Sequence, residues 1–304
     1  MRIVSLLPAA TDIVAALGAT DLLAGRTHEC DWPAEEVANI PVVTGSGIDQ
    51  NRTSSREISD AVGGSRHSGS SLYTLDTELL ASLRPDLVLT QDLCDVCAVS
   101  YAQVSSTVRI MEGASRVLSL EPATTNGVFD CVQRVGEAIG RQQRAAELIK
   151  ELRARLARLA RATSTRPRRG VAAIEWLDPL WPAGHWVPEQ IDAAGGIPLL
   201  AKAGEHTAPS TWDALAAAEP DVVLLMPCGF PPERTEEELH LLTERPEWTT
   251  LGETWVVDGP AYFNRPGPRI VRGAEVLGWL LHGVETGEPV RESEARPVST
   301  AARH

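Results

Sequence analysis

The chain has 304 residues, which is enough for one large hydrophobic core or two domain-sized ones. Hydrophobic residues make up 43% and charged residues 23%, the proportions of an ordinary globular protein. No run approaches the roughly 20 apolar residues of a membrane helix. A formal net charge of −13 argues against binding to nucleic acid or to an anionic membrane surface.

The first part of the chain, residues 1–122, is predicted to form an α/β lobe, because short apolar runs alternate with helical patterns. Pro8 opens the first predicted helix, and a Gly/Ser-rich stretch over residues 63–71 predicts a mobile loop. The predicted strands of this lobe are Ile3–Leu6, Leu22–Gly25, Leu87–Leu89 and Val117–Leu120.

A long spanning helix is predicted within residues 123–165. From about Thr125 to Arg161 there is no proline, and apolar residues such as Val128, Val132 and Val135 recur at helical spacing. At about 1.5 Å per residue, such a helix would be roughly 50 Å long.

A second α/β lobe is predicted over residues 166–286. Its strands are Val171–Ile174, Val222–Leu225 and Trp255–Val257, and its last helix runs from about Pro268 to Leu281. Residues 287–304 have no apolar periodicity, so we expect a disordered tail there.

One pattern occurs in both lobes. Residues 79–94 and 213–228 each contain apolar helical residues, a Pro-Asp pair, an apolar strand and a cysteine. The pairs Pro85-Asp86 and Pro220-Asp221 lie 135 positions apart, too far for a solenoid repeat. We therefore predict two similar lobes, each with a thiol at the carboxyl end of a strand, where open α/β sheets bind ligands.

The cysteines suggest metal chemistry. Cys94 and Cys97 follow the strand of the first lobe, Cys228 follows the matching strand of the second, and Cys30 follows the second strand. Four thiolates at one cleft would hold a zinc ion or an iron–sulfur cluster. The alternative is that some of these cysteines are buried packing residues and that the others are an ordinary pair of cysteines in a loop. Cys131, within the long helix, is predicted to be a packing residue.

Several motifs together resemble the helical-backbone (class III) substrate-binding proteins of ABC importers. They are Ser5-Leu-Leu-Pro-Ala-Ala-Thr-Asp12, Cys30-Asp31-Trp32-Pro33, the segment Leu83–Thr90, the long helix, and Phe263-Asn-Arg-Pro-Gly-Pro-Arg269. That family binds vitamin B12, ferric siderophores and haem, and the chain is most similar to its cobalamin-binding branch. The resemblance implies two Rossmann-like lobes with parallel sheets, one spanning helix, and a ligand cleft between the lobes.

Aromatic residues and one histidine are the candidate ligand contacts. Trp176, Trp181 and Trp186 fall close together and would form a flat aromatic wall for a ligand, and the alternative for any single one is packing in the core or at the lobe interface. His185 would ligate a corrinoid cobalt, a haem iron or a free metal, or would be a hydrogen-bonded loop residue. His28 beside Glu29 is the next candidate. The predicted ligand-binding residues are Trp32, Trp176, Trp181, His185, Trp186, Phe263 and Arg265.

The resemblance also implies a partner. In B12-binding proteins of this type, each lobe offers an acidic residue that docks on arginines of an ABC permease. Glu78 and Asp213 each lie seven residues before the Pro-Asp pair of their lobe and match that pattern. An acid near a helix N-terminus is also favoured by the helix dipole alone.

We expect a non-enzymatic binding protein for a corrinoid (cobalamin-like) or another metal chelate. The alternative is a cytoplasmic metal- or iron–sulfur-containing protein that uses the four cysteines in redox or sulfur-handling chemistry. Sequence signatures of phosphate-binding loops, serine hydrolases and zinc proteases do not occur. Asp12 interrupts the N-terminal apolar run, and no small-residue cleavage site follows it, so we expect a cytoplasmic location.

Overall fold

The computed structural model describes residues 1–49, 52–68, 73–91 and 115–299, with the side chains of 63–68 left out. The chain divides into two compact units. The first comprises Met1–Asp49, Asp60–Pro122 and Gly127–Ile149, and the second comprises Gln50–Ser59, Ala123–Asn126 and Lys150–His304.

The first unit is built on a parallel sheet of four strands in the order β2-β1-β5-β6. Strands β1 and β5 are buried at every residue, because a parallel sheet with both faces covered needs a continuous apolar run. A separate antiparallel pair, β3 and β4, was not predicted. The strands are β1 (Ile3–Ser5), β2 (Leu23–Arg26), β3 (Thr44–Ser46), β4 (Tyr73–Leu75), β5 (Leu87–Thr90) and β6 (Arg116–Ser119).

The second unit contains a sheet of six strands. β11, β10, β7 and β9 are parallel, and the antiparallel strands β12 and β8 pair with β11 and β7. The strands of this unit are β7 (Arg169–Trp176), β8 (Trp181–Pro182), β9 (Gly196–Leu199), β10 (Val222–Leu225), β11 (Glu253–Val257) and β12 (Ala295–Pro297).

The seven strands predicted from sequence, four in the first unit and three in the second, are all present, each with ends within two residues of the prediction.

The helices alternate with these strands, as an α/β chain requires. The predicted loop over residues 63–71 is partly wrong, since helix α3 reaches Ser68; residues 69–71 lie outside the described chain. The helices are α1 (Pro8–Ala16), α2 (Ala34–Val37), α3 (Ser55–Ser68), α4 (Thr77–Leu83), α5 (Thr125–Ala138), α6 (Gln142–Thr163), α7 (Val187–Ala193), α8 (Trp212–Ala217), α9 (Pro232–Glu237), α10 (His240–Thr243), α11 (Gly259–Tyr262) and α12 (Ile270–His282).

The predicted long helix is interrupted once. It consists of α5 and α6, separated at Gly140, which has a φ of +72°. Glycine adopts this left-handed conformation at little cost and commonly ends helices. The two helices then approach closely, because a Cβ on Gly136 would lie only 2.5 Å from the Cβ of Ala145. The apolar spacing continues through the turn, and periodicity alone therefore did not reveal it.

The predicted disordered tail is wrong for its described part. β12 pairs with β11 over Ala295–Pro297, and Glu294 is only 2% exposed. Both Arg272 and the backbone N–H of Arg291 donate to Glu294. These long-range contacts order a segment that has no apolar periodicity of its own.

Among the residues described, no helix is both long and apolar enough to cross a membrane.

Candidate functional site

The carboxyl edge of the sheet in the second unit carries several predicted site residues. β7 ends at Trp176, and Cys228 lies three residues beyond the end of β10. The backbone N–H of Cys228 donates to the carbonyl oxygen of Glu175 at 3.0 Å, so the loop after β10 lies against the end of β7. This is the edge at which open α/β sheets bind ligands.

Trp176 and Trp181 are direct cross-strand partners in the β7–β8 hairpin. The pairing shifts register between Ile174 and Trp176, and Trp176 then lies opposite Trp181, so the two tryptophans are neighbours across the hairpin. Both side chains are half-buried. The Trp176 indole N–H donates to the carbonyl oxygens of Ser55 and Asp178 at 3.1 Å, and that of Trp181 donates to Thr207 Oγ1 at 2.8 Å. Both rings are thus held in fixed orientations.

Phe230 packs against the Trp176 indole, and Arg234 packs against Phe230. The Phe230 ring is 1% exposed and lies 5.2 Å from the Trp176 ring, at an interplanar angle of 49°. The guanidinium carbon of Arg234 lies 4.4 Å from the Phe230 ring centroid, within the range of a cation–π contact. Neither residue was predicted, since Phe230 and Arg234, five and nine residues beyond the end of β10, form no recognisable motif.

Trp186 and Phe263 lie deeper than the predicted ligand wall. Trp186 is 7% exposed and donates its indole N–H to the carbonyl oxygen of Phe263 at 2.8 Å. Phe263 is itself only 1% exposed. Both rings are therefore core residues beneath the loops, and a direct ligand contact from them stays a prediction. Arg265 is half-buried and remains a candidate.

His185 occupies a constrained position in the loop after β8. Its φ of +54° is unusual for a residue with a side chain. Two backbone hydrogen bonds fix this conformation: His185 N–H donates to Glu205, and Gly204 N–H donates to His185. Burial, and secondarily the neighbouring His206, lower the pKa of His185, which is therefore a neutral imidazole at pH 7. Sequence reasoning found His185 and missed His206, whose ring centroid lies 4.3 Å away.

Within the first unit, Cys30 belongs to a buried network of hydroxyl groups. Its Sγ lies 3.0 Å from Thr11 Oγ1 and 3.5 Å from Thr27 Oγ1, and Thr11 in turn donates to Ser5 Oγ. The thiol is 3% exposed. Hydrogen-bonded burial of this kind accounts for Cys30 without a metal.

His28 lies in the same unit, beside the acid predicted to orient it. Its Nδ1 is 2.8 Å from Thr44 Oγ1, and its Nε2 is 3.4 Å from Glu29 Oε1. The imidazole also contacts Tyr73, with ring centroids 5.2 Å apart. Trp32, the remaining predicted aromatic contact, is half-buried in this unit.

The four-cysteine site is not assembled by the described residues. Cys94 and Cys97 lie outside them, and Cys30 and Cys228 belong to different units. In the described parts of the chain, no group of three or more His, Cys, Asp or Glu side chains is placed to hold a metal ion. Cys131 is 3% exposed, and burial is the main cause that raises its pKa to about 11, which confirms its predicted packing role.

The two predicted docking acids occupy equivalent helical positions. Glu78 lies in the first turn of α4, which is capped by Asp76, and Asp213 lies in the first turn of α8, which is capped by Thr211. Each capping side chain accepts a backbone N–H three residues later. Both acids are exposed. The positional match between the two repeats therefore holds, and the docking role stays a prediction.

Two α/β units built on parallel sheets agree with the architecture that the resemblance to substrate-binding proteins implies. A family model described as periplasmic binding protein matches residues 3–255, and the chain belongs to this family. The predicted resemblance to the class III substrate-binding proteins is thereby confirmed. A comparison with curated protein sequences finds no significant match.

Solved structures show the same fold at low identity. A periplasmic heme-binding protein from Pseudomonas aeruginosa is 20% identical, with a TM-score of 0.71 and 98% of each chain covered. The periplasmic heme-binding protein RhuT from Roseiflexus sp. RS-1 is 21% identical, with a TM-score of 0.69, and 93% of this chain and 98% of that chain are covered. The periplasmic vitamin B12 binding protein BtuF of Vibrio cholerae is 16% identical, with a TM-score of 0.62, and 92% of this chain and 96% of that chain are covered.

Proposed function

We propose that this protein binds a metal chelate, a corrinoid or a related planar ligand, without chemically altering it. The observation that carries the proposal is the cross-strand pair Trp176 and Trp181, two half-buried tryptophans that are neighbours in a hairpin. Their hydrogen bonds hold them before any ligand arrives, which lowers the entropic cost of binding. Large fixed aromatic surfaces favour large planar ligands.

His185 supports a ligand that contains a metal. It is half-buried and neutral at pH 7, so a ring nitrogen lone pair is available to a metal. Structures of the same fold are named for heme, vitamin B12 and Fe3+-hydroxamate. The comparisons give no support to the alternative of an iron–sulfur protein built on the four cysteines.

Titration with hydroxocobalamin, hemin and a ferric hydroxamate tests the proposal. Binding is followed by calorimetry and by the visible absorption of the chelate. We expect one of the three to bind at micromolar concentration or tighter. Trp181→Leu should weaken that binding by about tenfold, because an indole that becomes buried against a ligand contributes roughly 1.5–3 kcal/mol.

Trp255→Leu is the matched control, since Trp255 is half-buried in the same unit but contacts Trp279. Its affinity for the chelate should stay that of the wild type. Failure of all three chelates to bind at micromolar levels would overturn the proposal. Equal losses of chelate affinity in Trp181→Leu and Trp255→Leu would show that the hairpin is not part of the binding site.

Delivery to an ABC permease is the second part of the proposal, with Glu78 and Asp213 as the docking acids. Lysine in place of each acid should abolish the complex with a reconstituted permease, because the permease arginines would then face like charges. Glu285→Lys adds the same charge at another exposed position and should leave the complex intact. The expected cytoplasmic location stays a prediction, which cell fractionation tests; a purely cytoplasmic protein would contradict the docking role, because an importer receives its ligand outside the membrane.

A further inference from the structure

The rings of His185 and His206 form an edge-to-face pair in the second unit. Their centroids lie 4.3 Å apart and their planes are inclined by 79°. His185 is half-buried, and His206 is exposed to solvent. Within the part of the chain that the structure describes, the ring nitrogens of the two histidines have no hydrogen-bond partner. Two imidazoles with available nitrogens thus stand side by side at the surface.

The backbone holds the pair together from both sides. His185 N–H donates to the carbonyl oxygen of Glu205 at 3.0 Å, and Gly204 N–H donates to that of His185 at 2.8 Å. The glycine before His185 is required for this approach, because a Cβ on Gly184 would lie 2.6 Å from the Glu205 carbonyl oxygen. His185 is also kept at a φ of +54°. Strained conformations of this kind are often found at functional sites.

The separation of the rings fits two cis ligands of one metal ion. With a metal–nitrogen bond of about 2.0–2.1 Å, each ring centre lies about 3.2 Å from the metal. If one nitrogen of each ring pointed at the same ion, a centroid distance of 4.3 Å would correspond to an N–metal–N angle of about 85°. Cis ligands in square-planar or octahedral sites meet at about 90°, and tetrahedral ligands would place the ring centres about 5.2 Å apart.

We infer that His185 and His206 form a two-imidazole site for a divalent transition-metal ion, with water in the remaining positions. Imidazole suits nickel, copper and zinc. The site lies wholly in the second unit and needs neither the chelate nor the cysteines. It shares His185 with the proposed function and adds His206, which the proposed function does not use.

Calorimetric titration with Ni2+ at pH 7.5 tests the site. His206→Gln should weaken Ni2+ binding by at least about tenfold, since even a lost outer-shell partner costs 10–100-fold in metal affinity. His185→Asn should have a similar effect, and asparagine is chosen because it tolerates left-handed backbone conformations. His240→Gln is the matched control, because His240 is an exposed histidine of the same unit, and it should bind Ni2+ like the wild type.

Equal Ni2+ affinity in the wild type and His206→Gln would overturn the inference. A lack of Ni2+ binding below millimolar concentration would also overturn it. Titrating His206→Gln with the chelates distinguishes a failure of the Ni2+ site from a failure of the proposed chelate binding. A variant that loses Ni2+ binding and keeps chelate binding supports the metal site, and a wild type that binds Ni2+ but no chelate rejects only the proposed function.

Discussion

The carboxylate of Asp221 accepts a hydrogen bond from the backbone N–H of Gly170, with Oδ2 and N 2.6 Å apart. Asp86 makes the same contact in the first unit, where its Oδ2 lies 2.6 Å from the backbone nitrogen of Arg2. In both cases the aspartate follows the proline of the repeated pattern, and the donor lies at the start of the neighbouring strand. The Pro-Asp repeat therefore fixes where the central strands of each sheet begin.

Removing this carboxylate should destabilise the second unit. Asp221→Ala leaves the N–H of Gly170 without its acceptor, so we expect the free energy of unfolding to fall by about 1–2 kcal/mol. Asp221→Asn retains a side-chain carbonyl oxygen as acceptor, so its free energy of unfolding should fall by less. Urea unfolding of both variants gives the measurement, and Glu244→Ala, an exposed acid of the same unit, is the control. A loss in Asp221→Ala no larger than in the control would contradict this role.

Left-handed residues precede both Pro-Asp pairs. Arg84 has a φ of +45° and Glu219 a φ of +47°, and each follows the last turn of a short helix. Glycine at either position should raise the free energy of unfolding by up to about 1 kcal/mol, because the left-handed region costs other residues roughly 1–2 kcal/mol. Glu219→Val should lower it, since a β-branched side chain tolerates this region least. Urea unfolding of Glu219→Gly and Glu219→Val should therefore move the midpoint in opposite directions.

The C-terminal segment is tied to the second unit by Glu294. Burial opposes ionisation of this carboxyl, but hydrogen bonds from Arg272 and from the backbone of Arg291 hold its pKa below the ordinary value. Glu294→Ala removes the nearer acid from Arg272, which keeps Glu275 at 3.8 Å and two backbone carbonyl oxygens, and we expect a loss of about 1.5–3 kcal/mol in unfolding free energy. Glu292→Ala changes an exposed acid two residues away and should be close to neutral. Equal stability of the two variants in urea would show that residues 287–299 contribute little to the fold.

Acidification should destabilise the second unit through His185. Because burial lowers the pKa of His185 in the folded protein, the unfolded chain binds its proton first as the pH falls. Stability is thus fully present above the unfolded value of 6.5 and decreases below it. The loss of unfolding free energy between pH 7.5 and pH 5.5 should be smaller in His185→Asn than in the wild type. His240→Gln should lose as much unfolding free energy as the wild type over this pH range. The same loss in all three proteins would show that groups other than His185 cause the acid destabilisation.

Much of the fold could be predicted from local sequence. Strands such as Ile3–Ser5 and Val222–Leu225 are short apolar runs buried on both faces, so their hydrophobicity alone identifies them. The candidate site was predicted less completely. Trp176, Trp181 and His185 were found by their position after the first strand of the second lobe, whereas His206 lies 21 residues further on, and only the hydrogen bonds between the two loops bring it to His185.

The sequence by itself determined seven central strands, the repeated Pro-Asp pattern and the family, because these depend on hydrophobic periodicity and on residues close together in the chain. Tertiary structure alone decided the break at Gly140, the pairing of β12 with β11, and the contact between the two histidines. Each of these depends on a backbone conformation or on hydrogen bonds between distant segments. Such contacts stabilise a segment whose own composition favours no structure, as Ala295–Pro297 shows.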